Sequence, residues 1–125
     1  MSINVDEVGW DSHNLWYLQA LSNPDCFLYV GKSGAESIGV CRFDVDSTKI
    51  TAEVSINVNP AFRGRHLSSQ LLAAAIDEFW RTNKIDLRAR VKKENTASLK
   101  CFTNCGFILD HEEGNYRYYA LTHNA

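Results

Sequence analysis

The chain has 125 residues, enough for one domain with one hydrophobic core. Its composition is 45% hydrophobic and 22% charged with a net charge of −2, which argues against a nucleic-acid binder. No apolar run reaches the ~20 residues of a membrane span, and the N-terminus lacks a basic-then-apolar signal pattern. We therefore expect a cytoplasmic, single-domain protein over residues 1–125 that contacts no membrane.

Charge is distributed unevenly along the sequence. Residues 1–59 carry 3 basic and 8 acidic side chains, whereas residues 60–100 carry 9 and 4. The middle of the chain could therefore meet an anion. The four cysteines show no metal or disulfide spacing, so we expect reduced, packed thiols and no metal site. These are Cys26, Cys41, Cys101 and Cys105.

The first half of the chain is predicted to form one helix and a meander of strands. Apolar residues behind Asp11 and Ser12, which can cap, predict a helix over about 12–22. Period-two alternation and turn residues then predict three antiparallel strands, with a bulge at Gly39. The strands span residues 26–31, 37–45 and 50–59.

The second half is predicted to contain two helices, a strand and a hairpin. A strand at 86–91 follows a long helix, so it should lie parallel to the third strand or splay from it. A second helix follows Asn95 as N-cap and stops at Gly106. The fold class is therefore α+β with one mixed sheet. The helices are expected over about 65–83 and 96–105, and the hairpin strands over 107–110 and 116–122.

Residues 53–75 combine a strand, a basic loop and a helix start. Val54, Ile56 and Val58 alternate with polar residues, and Pro60 ends the strand. The first amides of the following helix lack internal acceptors and lie at its positive dipole end, beside Arg63 and Arg65. Such a terminus suits a phosphate or pyrophosphate. A purely structural basic loop is the alternative.

Two stretches resemble signatures of the GCN5-related N-acetyltransferase (GNAT) superfamily. Residues 59–68, NPAFRGRHLS, resemble its acetyl-CoA signature, with His66 and Ser68 where glycine or alanine is usual. Residues 94–107, ENTASLKCFTNCGF, resemble its Asn-x-x-Ser/Ala helix ending in Gly-Phe. The resemblance covers roughly residues 10–122. It implies a mostly antiparallel sheet with a splayed parallel pair and helices on both faces.

The resemblance also implies a function. Such a protein would transfer an acetyl group from acetyl-CoA to the primary amine of a small molecule. Residues 10–44 are most similar to enzymes that acetylate an amino group on a nucleotide-linked sugar, so an amino sugar is a candidate acceptor. The family's first strand is expected to be missing or vestigial here. A second copy of the chain could then cover the exposed sheet edge as a homodimer.

Carried onto this sequence, the family pattern implies a set of coenzyme-binding residues. The backbone of Ile56 and Val58 would bond the pantetheine arm. The amides of the basic loop and helix start would cradle the pyrophosphate, and the second signature would contact the arm. Asn95 could also be a plain helix cap, and both roles can hold together. The loop and helix residues are Arg63, Gly64, Arg65, His66, Leu67, Ser68 and Ser69, and the second set is Asn95, Ser98 and Phe102.

An ammonium acceptor must lose a proton before it can attack. Glu53 is the first candidate base because some relatives carry a glutamate there, and His111 with Glu112 is the second. Phe102 stands where many relatives carry a proton-donating tyrosine. Tyr116, Tyr118 or Cys101 could replace that donor, or the thiolate could leave unaided. The competing hypothesis is an acyl-CoA-binding module of the same fold with impaired catalysis.

Overall fold

The computed structural model describes residues 2–9, 15–22, 24–34, 36–62 and 67–123. Eight strands form one mixed sheet in the order β1-β2-β3-β4-β5-β6-β8-β7. The strands are β1 Ser2–Gly9, β2 Leu15–Ser22, β3 Cys26–Ser33, β4 Glu36–Val45, β5 Thr51–Val58, β6 Asp86–Lys92, β7 Ile108–Glu113 and β8 Tyr116–Leu121. A 3-10 turn, Pro60–Phe62, precedes helix α1, Leu67–Thr82, and helix α2 is Thr96–Asn104.

The first five strands form an antiparallel meander, which corrects two sequence expectations. The helix predicted over about 12–22 is wrong, because residues 15–22 form β2 between β1 and β3. The apolar spacing fitted either period, and pairing with β3, which buries Leu18 and Ala20, favours the strand. The first strand is not missing either, because Ser2–Gly9 pairs with β2 along its whole length.

The irregularity expected at Gly39 lies directly beside it. Gly31 pairs with Gly39 and Lys32 pairs with Ser37, so Ile38 is the extra residue of a bulge. The carbonyl of Ile38 accepts a hydrogen bond from the Asn59 amide at 2.8 Å. This bond lies directly beyond Gly39–Val58, the last residue pair between β4 and β5, so the bulge marks the end of their pairing.

The parallel pair is short and then splays. β5 and β6 pair only through Thr51–Asp86, Ala52–Leu87 and Glu53–Arg88. Both strands continue beyond this register, β5 to Val58 and β6 to Lys92. A gap therefore opens in the sheet after Glu53, as the sequence predicted.

Both helices pack against one face of the sheet. α1 buries Leu71 and Phe79, and Phe79 stacks on Phe43 with ring centroids 4.4 Å apart. α2 buries Leu99, Cys101 and Phe102 on the same side. We expected helices on both faces, but within the described residues the opposite face carries none, because only residues 10–14 separate β1 from β2. No described helix is long and apolar enough to cross a membrane.

The C-terminal elements follow the sequence closely. Asn95 caps α2, with its Oδ1 accepting from the Ser98 amide at 3.2 Å. Gly106 ends the helix at φ +93°, a conformation that favours glycine. β7 and β8 form the expected hairpin around Gly114. The α+β class, the mostly antiparallel sheet and its splayed parallel pair are thus confirmed.

Candidate functional site

A first cavity of about 270 Å³ lies beside the β5–β6 gap, on the face that carries the helices. Four elements line it: the end of β5, the 3-10 turn, the first turn of α1 and the N-terminal part of α2. The lining residues are Ile56, Asn57, Val58, Phe62, Leu67, Ser68, Asn95, Ala97, Ser98 and Cys101. Six residues proposed from the sequence as coenzyme contacts therefore meet in one place: Ile56, Val58, Leu67, Ser68, Asn95 and Ser98.

The β5 strand presents backbone groups to this gap. Val58 lies opposite Gly39, and the Asn59 amide donates to the Ile38 carbonyl, so the Val58–Gly39 pair is a non-hydrogen-bonded one. By alternation, the N–H and C=O of Ile56 point away from β4. β6 no longer pairs with β5 at that height, so an extended ligand could bond Ile56 as an added strand.

The N-terminus of α1 opens onto the same cavity. Its first amides have no acceptor inside the helix, and its first turn carries no acidic residue. Ser68 lines the cavity, whereas the Ser69 carbonyl accepts from the Cys105 thiol and its hydroxyl lies 3.5 Å from Asn104 Nδ2. Ser69 therefore joins α1 to α2. The predicted contacts Arg63, Gly64, Arg65 and His66 lie outside the described residues.

Asn95 and Ser98 form the α2 side of the cavity. Asn95 Oδ1 accepts a hydrogen bond from the Ser98 amide, so the N-cap role expected from the sequence is present. Its Nδ2 group donates to no protein acceptor in the part of the chain that is described. That amide and the Ser98 side chain can therefore donate to a ligand carbonyl.

Phe102 and Cys101 occupy different environments. Phe102 is buried and packs edge-on against Phe107 with ring centroids 5.0 Å apart, and it does not line the cavity. A phenyl ring has no acidic proton, so Phe102 contributes apolar contacts to the core. Cys101 does line the cavity, and burial raises the pKa of its thiol. Cys101 is therefore protonated at neutral pH.

A second cavity of about 470 Å³ lies on the opposite face of the sheet, which the described helices leave open. It spans β4, β5, β6, β8 and β7. The charged and aromatic residues of its lining are Asp44, Asp46, Glu53, Arg88, Arg90, Asp110, His111, Tyr118 and Tyr119. Because it reaches Arg88 and Glu53, it borders the gap from the other side.

Glu53, the first candidate base, lines this second cavity. It is the last β5 residue that pairs with β6, directly beside Arg88 on the same face. Both side chains are exposed, and neither has an ion-pair partner among the described residues. The carboxylate therefore stands at the point where the two strands separate, free to accept a proton or hold an ammonium group.

The second candidate base is arranged differently from the sequence expectation. His111 Nδ1 lies 2.7 Å from Asp110 Oδ2, not beside Glu112, and its ring stacks on Tyr118 at 4.4 Å. Glu112 instead accepts from Arg117 at 2.7 Å, which is the largest reason that its pKa is lowered. His111 and Tyr118 both line the second cavity, whereas Glu112 does not.

Sequence reasoning missed Arg88 and Arg90 as site residues. They alternate with Leu87, Ala89 and Val91, so they were assigned only to the exposed face of a strand. The signal that could have found them is their position immediately at and beyond the splay, on the same face as Glu53.

The sequence matches known acetyltransferases. The profile of the Acetyltransferase (GNAT) family matches residues 3–107. A curated relative, the L-methionine sulfoximine/L-methionine sulfone acetyltransferase of Salmonella typhimurium strain LT2, is 35% identical over 77 residues. That match covers 62% of this chain and 44% of the relative, so the chain spans less than half of that protein's length.

Solved structures share the fold. N-acetyltransferase PseH of Campylobacter jejuni, also solved with acetyl coenzyme A, superposes with a TM-score of 0.70 at 20% identity, over 82% of this chain and 71% of its own. Spermidine N-acetyltransferase SpeG of Vibrio cholerae, in its F149G mutant, gives 0.71 at 17% identity, over 79% and 65%. These likenesses show the fold. With the profile matched over most of the sequence and the splayed strand pair in place, the chain belongs to the GNAT family of acetyltransferases.

Proposed function

We propose that this protein is an acetyl-CoA-dependent N-acetyltransferase that acts on the primary amine of a small molecule. One observation supports this most strongly. The β5–β6 pair parts after three residue pairs, and a cavity beside the gap is lined by the start of α1 and the cap of α2. Acetyl-CoA needs both an anion site for its diphosphate and an extended slot for its pantetheine arm.

The residues around the first cavity fit acetyl-CoA. The α1 N-terminus with Ser68 suits the diphosphate, and the backbone of Ile56 suits the amides of the arm. Asn95 Nδ2 can donate to a carbonyl of the arm. When bound, acetyl-CoA supplies the activated thioester, and the chain supplies position and proton transfer.

Proton transfer is assigned to Glu53 and Cys101. Glu53 faces the open side of the sheet, where an amine would approach, so it accepts the ammonium proton directly or through a water. Cys101 faces the first cavity, and burial raises the pKa of its thiol, so it stays protonated and can donate a hydrogen bond to the departing sulfur. It takes the place of the donor that Phe102 cannot supply.

The acceptor is proposed to bind in the second cavity. Its volume of about 470 Å³ is in the range of small-molecule sites. The relatives' names include acetylation of L-methionine sulfoximine and of spermidine, and the sequence resemblance adds amino sugars. All are small amines, so that class is the acceptor proposed for this chain.

Isothermal titration with acetyl-CoA tests the first cavity. We expect saturable binding to the wild type and strong loss in Ser98→Tyr, whose ring would fill the slot. Thr103→Tyr is the matched control, because Thr103 is exposed on the same helix but does not line the cavity. No binding by the wild type at high micromolar acetyl-CoA would refute the proposal.

A thiol-release assay over amino acids, amino sugars and polyamines tests turnover. At pH 7 we expect Glu53→Gln to lower kcat by about 10² to 10⁴ with the acetyl-CoA Kd unchanged. Ser55→Ala is the control, since Ser55 is exposed on the same strand and face. An unchanged kcat in Glu53→Gln would remove Glu53 as the base. Binding without turnover on any amine would instead support the impaired-module hypothesis.

A further inference from the structure

We propose that the second cavity selects an acceptor in which the reactive amine lies close to an anionic group, either a carboxylate or a phosphate. Arg88 and Arg90 hold the anion and Glu53 receives the amine. This inference rests on the proposed function and deepens it by naming the chemical class of the acceptor.

Three of the four carboxylates in the lining already have partners. Asp44 accepts from Arg42 Nε at 2.9 Å through both oxygens. Asp110 accepts from His111. Asp46 accepts from the hydroxyls of Thr51 and Thr48, and these bonds, that of Thr51 most, lower its pKa to about 2.

Glu53 is the fourth carboxylate, and it differs from the other three. Within the described chain it forms no hydrogen bond or ion pair with its side chain. It therefore remains available for an incoming ammonium group. Arg42 neutralises Asp44, while Asp46 and Asp110 are held in place by hydrogen bonds, so Glu53 is the one lining carboxylate with no partner among the described residues.

Two guanidinium groups stand beside it. Arg88 pairs in register with Glu53, and no carboxylate among the described residues lies within ion-pair distance of it. Arg90 lies two residues further on the same face, with its guanidinium 4.9 Å from the centre of the Tyr116 ring. That contact orients the group while its N–H donors stay available. The cavity thus offers two guanidinium groups and one carboxylate, Glu53, that has no hydrogen-bond or ion-pair partner among the described residues.

The spacing of these groups limits the ligand. Adjacent strands lie about 4.8 Å apart and residues two apart on a strand are about 6.6 Å apart, so all three side chains reach one small volume. A ligand that satisfies them carries its positive and negative groups a few ångströms apart. A polyamine would instead place its additional cations close to both arginines, which is electrostatically unfavourable.

The β7–β8 side of the cavity is aromatic. The His111 ring lies parallel to the Tyr118 ring, with an angle of 5° and centroids 4.4 Å apart. This surface suits the carbon skeleton of the acceptor. The three polar groups then fix the orientation of the ligand, and the wall contributes apolar contact.

The test compares acceptors that differ only in the anion. L-methionine sulfone is compared with its primary amide, and glucosamine 6-phosphate with glucosamine, under saturating acetyl-CoA. We expect kcat/KM to be at least about tenfold higher for the anionic member of one pair, the loss expected when a charge-assisted hydrogen bond is removed. Which pair shows the difference identifies carboxylate or phosphate as the anion. Equal values within both pairs, or preference for spermidine, would overturn the proposal.

Variants then tie the preference to the arginines. Arg88→Gln and Arg90→Gln should each raise KM for the anionic acceptor about tenfold or more, and should raise KM for the neutral member of the pair far less. Lys92→Gln is the control, because Lys92 is exposed on the same face of β6 but does not line the cavity. An equal KM change in Lys92→Gln would show a general charge effect and overturn the assignment.

Failure of the proposed function would be distinguishable from failure of this inference. If acetyl-CoA binds but no amine is acetylated, calorimetric titration of L-methionine sulfone and glucosamine 6-phosphate into the CoA complex still tests the proposed acceptor site. Binding of one anionic ligand that is lost in Arg88→Gln supports the site. Absence of binding by both ligands refutes it.

Discussion

Replacing Gly39 by alanine should displace the β5 residues that line the first cavity. Gly39 is buried on β4 opposite Val58, next to the bulged residue Ile38. A Cβ added there would lie 2.7 Å from the Asn57 carbonyl oxygen, 3.0 Å from the Val58 Cα and 3.1 Å from Leu71 Cδ2. The first two contacts are with backbone, so the β5 strand itself must shift.

The expected cost follows from this overpacking. Forcing extra volume into a packed core destabilises proteins by about 1–3 kcal/mol, and the backbone contact places Gly39→Ala toward the upper half of that range. Asn57 and Val58 line the first cavity, so the shift also displaces the wall against which acetyl-CoA is proposed to bind. We therefore expect a weaker affinity for acetyl-CoA as well as a lower stability.

Urea unfolding and acetyl-CoA titration measure the two effects. Gly34→Ala is the matched control, because Gly34 has φ +60° but, apart from its chain neighbours, no heavy atom of the described residues lies within 4 Å of an added Cβ. It should lose about 1–2 kcal/mol from left-handed backbone strain and keep the wild-type affinity. If Gly39→Ala matches the wild type in both measurements, the close contact between β4 and β5 does not constrain the cavity.

Three further outcomes follow from the packing and the titrating groups. Asn95→Ala should cost about 1 kcal/mol in urea unfolding through loss of the α2 cap and should weaken acetyl-CoA binding, whereas a cap-only role would leave affinity unchanged. Phe79→Ala should cost about 3–5 kcal/mol, because it removes the ring stacked on Phe43, and a smaller loss would show that the core refills. Burial raises the pKa of the Cys41 thiol and raises that of Cys105 to about 12, so iodoacetamide should label both slowly in the native protein at pH 8 and rapidly in urea. Because those folded pKa values exceed the unfolded ones, their stabilising contribution is complete below pH 9 and declines as pH rises toward 12.

The sequence predicted elements whose local signals agree with their tertiary setting. α2 has its cap at Asn95 and its stop at Gly106, and both are present. β2 was missed because the apolar residues of 15–22 fit a helical and an extended period equally well. Only the neighbouring strands, whose pairing requires long-range contacts, distinguish the two.

The two cavities also differ in how far their residues could be grouped from the sequence. The first is built from the end of one strand and the starts of two helices, each marked by a local motif, so Ile56, Ser68 and Asn95 could be grouped from sequence. The second collects side chains from five strands that are distant in the chain. Arg88 and Glu53 become neighbours only through the parallel register, which no local pattern specifies.

The short pairing between β5 and β6 divides the sheet into two blocks of strands. Five strands on one side and three on the other are joined at this seam by three residue pairs and by the helices that lie across it. A molecule seated in the gap would act as a brace between the two blocks. Occupancy of the gap should therefore slow amide hydrogen exchange in the strands on both sides of it, because the bound ligand adds to the stability of the fold.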